Sequence, residues 1–72
     1  MWIRSQNKEC LVLIVRLRIK NPSTYTNGKG EHTLIANDDQ VVGKYEDYEI
    51  AKKELDNVMA MLYADKNIYE LN

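Results

Sequence analysis

The densest apolar pattern in the chain is Cys10–Lys20, Cys-Leu-Val-Leu-Ile-Val-Arg-Leu-Arg-Ile-Lys. Divided by the two-residue period of a pleated strand, one face carries Leu11, Leu13, Val15, Leu17 and Ile19. The other carries Cys10, Val12, Ile14, Arg16, Arg18 and Lys20, apolar at its start and basic at its end. The pattern predicts one central strand with its all-apolar face on the core. The apolar half of the second face then needs cover, which a second copy of the chain would supply.

Shorter patterns flank this strand. Met1–Ser5 alternates and predicts a first strand, turned by the polar Gln6–Glu9. Asn21–Glu31 holds the single Pro and two of the three Gly and reads as one long hairpin loop, with Asn27-Gly28 as its turn signal. His32–Ala36 and Val41–Tyr45 predict a third and a fourth strand across an Asn37–Gln40 turn, with Gly43 marking a bulge or a close backbone approach. Asp47 reads as the N-cap of a helix from about Tyr48 to Asp65, with a stripe at Ala51, Leu55, Val58, Met59 and Leu62. Lys66–Asn72 is a tail that Ile68, Tyr69 and Leu71 would dock as a short strand or a last helical turn. The expected fold is α+β, one domain over residues 1–72. It is an antiparallel four-stranded sheet of two hairpins followed by one amphipathic helix packed on one face.

Length sharpens this picture. Seventy-two residues bury only about 60% of the surface an unfolded chain exposes, and scaffolds of this size usually add a disulfide, a metal or a partner subunit. A single cysteine and a single histidine exclude an internal disulfide and a closed zinc site of four Cys or His ligands from one chain. Self-association is the remaining common device, and Trp2 is either a core residue or an anchor of such an interface. No apolar stretch approaches the ~20 residues of a membrane span, and no secretory leader follows Met1, so a cytoplasmic chain is expected.

Charge is unevenly placed. Residues 1–36 hold Arg4, Lys8, Arg16, Arg18, Lys20 and Lys29 against Glu9 and Glu31, whereas the second half is strongly acidic and the whole chain carries −1. Nucleic acid is therefore a less favoured partner. No catalytic spacing is present, so an enzyme and a cofactor are not expected. Cys10 and His32 would meet only if the second and third strands paired there. Asp38-Asp39 lacks the spaced ligands of a calcium loop, and Gly28-Lys29-Gly30 lacks the phosphate-loop pattern. The sharper candidate is an anion site. Arg16, Arg18 and Lys20 share one strand face, Arg4 is a candidate neighbour, and Trp2 and Tyr25 are candidates to stack on a base.

The opening Met-Trp-Ile-Arg-Ser-Gln-Asn-Lys, the Val42-Gly43-Lys44-Tyr45 step and Ala51-x-x-x-Leu55-Asp56 carry a family resemblance. Together they resemble short, little-characterised proteins of phages and prophages of Gram-positive bacteria, whose opening is Ile-Arg-Ser-Gln-Asp-Lys. Asn7 in place of Asp and Val42 in place of Leu depart from that pattern. The resemblance implies a phage accessory protein. By a looser analogy it implies an anti-defence role like that of phage sponge proteins, homo-oligomers that sequester nucleotide signals. Alternatives are an inhibitor that binds a host defence protein directly and a DNA-associated phage regulator.

Overall fold

The computed structural model describes residues 1–24 and 26–72. Its elements are β1 (Trp2–Arg4), β2 (Leu11–Leu13), β3 (Leu17–Lys20), β4 (Lys29–Ala36), β5 (Gln40–Asp47), α1 (Tyr48–Tyr63) and β6 (Ile68–Glu70). The α+β class is as expected, but the four-stranded sheet is not formed. Two three-stranded sheets replace it, ordered β2-β1-β6 and β3-β4-β5. The smaller sheet is mixed: β1 pairs antiparallel with β2 and parallel with β6, which brings the two ends of the chain together.

The predicted central strand is broken in two. Val12 of β2 and Ile14 just beyond it pack against the core, as do Leu17 and Ile19 of β3. Even-numbered residues face inward before the break and odd-numbered ones after it, which no continuous pleat allows. Asn37 holds the break. Its Oδ1 accepts from the Val15 N–H at 2.8 Å, its Nδ2 donates to the Leu13 carbonyl at 3.2 Å, and its own N–H donates to the Arg16 carbonyl at 2.7 Å. A turn side chain thus takes over hydrogen bonds that a sheet ladder would make. Asn37 itself has φ 59°, a conformation that Asn tolerates better than most residues.

Local signals held. Asn27 and Gly28 have φ 53° and 77°, and Thr26 and Lys29 exchange two backbone hydrogen bonds around them, the two-residue hairpin geometry. Asp47 caps α1 by accepting from the Glu49 N–H at 2.9 Å. Gly43 lies beside a register shift between β4 and β5, and a Cβ there would meet the Tyr45 ring at 2.9 Å.

The helix lies across β3, β4 and β5. The core joins Ile3 of β1, Leu34 and Ala36 of β4, Val42 and Tyr45 of β5, Ala51 and Val58 of α1, and Leu71. The expected helix stripe is displaced: Met59 and Leu62 are half-exposed, whereas Glu54 is buried. The Glu54 carboxylate accepts from Tyr69 Oη and Asn57 Nδ2, both at 2.9 Å, and from the Asn72 N–H. A buried charge with several donors is satisfied without a cation, and here it fixes the chain beyond β6 to the helix. The tail forms the short strand rather than a helical turn.

Candidate functional site

The outer face of the larger sheet, opposite α1, carries the candidate anion site. Leu17 and Ile19 point inward, so Arg18 and Lys20 project outward and are exposed. Register places Lys20 beside Thr33 and Thr33 beside Lys44, one row across three strands. Lys20 and Lys44 therefore flank Thr33 at backbone spacings of about 5 Å on either side, and their long side chains can converge above it. Arg18 lies two residues along β3. Neither Arg18 nor Lys20 has an ion-pair partner among the described residues. Lys44 Nζ stands 3.9 Å from a Glu31 carboxylate oxygen, a loose exposed pair that leaves the lysine available. The arrangement offers two ammonium groups, a guanidinium and a hydroxyl to a ligand rich in oxygen acceptors.

The other predicted site residues lie elsewhere. Arg16 precedes β3 and pairs with Asp38 at 2.9 Å, beside the Asn37 clasp. Arg4 is in the smaller sheet, where its guanidinium donates to the Lys8 carbonyl at 3.3–3.4 Å. Trp2 is on that sheet too, and is neither a core residue nor a neighbour of Arg18. Tyr25 lies outside the described residues. Arg18 and Lys20 share one face of β3, and the register adds Thr33 and Lys44 beside Lys20. Alternation already turned Lys44 away from Tyr45, but only the strand register, shifted beside Gly43, shows that it joins Lys20.

Cys10 and His32 do not meet across paired strands. Cys10 precedes β2, with its N–H on Ser5 Oγ at 3.0 Å, while His32 is buried in β4 of the other sheet. His32 lies 2.9 Å from both Asn21 Oδ1 and the Gly28 carbonyl, edge-on to the Tyr48 ring. It ties the β3–β4 loop to the start of α1, where Gly28 also accepts from the Tyr48 N–H at 2.9 Å. Lys29 pairs with Asp47 at the same place. That hydrogen bond first, and the Glu49 N–H second, hold the Asp47 carboxyl below the usual carboxylate range.

Among the described residues no group of three or more His, Cys, Asp and Glu is placed to hold a metal, and no helix is long and apolar enough to cross a membrane. Comparison with protein-family models, curated proteins and solved structures gives no match to this chain.

Proposed function

We propose that this chain is a small non-enzymatic phage or prophage accessory protein, homo-oligomeric and acting in the bacterial cytoplasm. It binds a phosphate-bearing ligand of nucleotide type and so withholds a host defence signal. One observation carries the ligand class: Arg18 and Lys20, without ion-pair partners among the described residues, share an exposed face with Lys44 and the Thr33 hydroxyl. The opening motif supports the phage context. Arg18 would take two phosphate oxygens through its planar fork, and the lysines would act as point charges.

An open sheet face is well hydrated, so each of the three charge contacts contributes about 1 kcal/mol or a little more, and a Kd on the order of a few millimolar per chain follows. Isothermal titration calorimetry with nucleoside mono-, di- and triphosphates tests the reading. Affinity should rise with phosphate number and fall with added salt. The Arg18→Ala/Lys20→Ala variant should weaken binding at least tenfold with an unchanged circular dichroism spectrum. Binding that survives the double substitution, or no heat at nucleotide concentrations of tens of millimolar, overturns it.

A further inference from the structure

The smaller sheet is apolar on both sides. Its inner face, Ile3 with Val12 and Tyr69, belongs to the core. Its outer face carries a row across all three strands, Leu13–Trp2–Ile68, with exposures of 51, 41 and 59%. Leu11, 55% exposed, stands on the same face, and Val15, just beyond β2, is 92% exposed. A sheet with apolar residues on both faces is expected to be covered on both, and among the described residues nothing covers the outer one.

We infer that the outer face of β2-β1-β6 is a two-fold interface between two copies of this chain. The inference rests on the homo-oligomer part of the proposed function and gives it a place. Charge selects the occupant. Beside the apolar row runs Leu11–Arg4–Glu70, and a shallow hollow of about 390 Å³ there is bordered by Arg4, Lys8, Glu9 and Glu70. Two bases and two acids leave the patch neutral, and Lys8 pairs with Glu70. A strongly charged partner of either sign finds no complement there, whereas a neutral patch can meet itself without repulsion.

Register selects the axis. A two-fold axis along the strands would stack Arg4 on Arg4. An axis across the strands at the level of Trp2 lays the apolar row on itself and carries the charged rows to opposite rims, the usual anatomy of an interface. A contact of about a tenth of the 5001 Å² surface is small, so the dimer should be weak, with a Kd on the order of micromolar.

Sedimentation equilibrium of the full chain over a hundredfold concentration range, with Trp2 emission followed on dilution, tests this. Trp2 is the only tryptophan and lies in the middle of the row. The expected result is a monomer–dimer equilibrium whose dissociation shifts Trp2 emission to the red. Leu13→Glu and Leu13→Lys should each be folded monomers, and mixing the two should restore a dimer, because the axis sets residue 13 against itself. A monomer at every concentration overturns both this inference and the homo-oligomer reading. A dimer unaffected by either Leu13 substitution overturns the inference alone. Restoration by mixing Leu13→Glu with Ile68→Lys, but not with Leu13→Lys, overturns the axis.

Discussion

At the scale of single residues, Asn37 has the largest structural consequence. It sits in a tight turn 22 residues beyond Val15, yet its amide takes the Val15 N–H and the Leu13 carbonyl. Asn37→Gly keeps the positive φ and removes only the amide, so it isolates those two bonds. The loss should be about 1–2 kcal/mol, read as a lower urea midpoint at constant m value. The tyrosines around Glu54 give a pH signature. Burial first, and the Glu54 charge second, push Tyr45 well above its ordinary range; burial and the hydrogen bond to Glu54 push Tyr69 in the same direction. Both groups keep their protons in folded and unfolded chains below about pH 10, where their contribution to stability is full. Above that the unfolded chain loses its protons first, so stability falls as pH rises. Urea midpoints at pH 8 and pH 11 should differ less for Tyr45→Phe than for the wild type or for Tyr63→Phe, a substitution at an exposed site.

At the scale of elements, what was legible was local. Asp47 and the residues after it specify the start of α1 within a few positions, and Asn27-Gly28 specifies its turn by conformational preference alone. The strand break was illegible because its cause, Asn37, is remote. Periodicity assigns Leu11, Leu13 and Val15 to the core, and they are outside. The end of α1 follows the same division. Lys66 N–H donates to the Met61 carbonyl at 3.0 Å and Asp65 N–H to the Leu62 carbonyl at 3.1 Å, around Asp65 at φ 60°. This is the reverse turn that usually carries glycine. Asp65→Gly should therefore raise stability by about 0.5–1 kcal/mol, seen as a higher melting temperature. A decrease would show that the Asp65 side chain holds the turn in another way.

At the scale of the whole molecule, one small sheet is built from both ends of the chain, and this reorganises the candidate chemistry. Parallel pairing of β1 with β6 depends on contacts between residues more than sixty positions apart, beyond the reach of any periodicity. It moves Trp2 and Arg4 away from the basic face and groups Trp2 with Leu13 and Ile68. Arg18 and Lys20 remain together because two residues on one short strand cannot be parted by topology. The two surfaces divide the proposed work between them: cations on the larger sheet hold the ligand, and the apolar face of the smaller sheet joins two copies. Native mass spectrometry of the full chain, incubated with an equimolar set of nucleotides, reads both at once. The expected result is a dimer that carries nucleotide mass, and an Arg18→Ala/Lys20→Ala dimer that carries none. A chain that stays bare with every nucleotide, or a double variant that binds as well as the wild type, would contradict it.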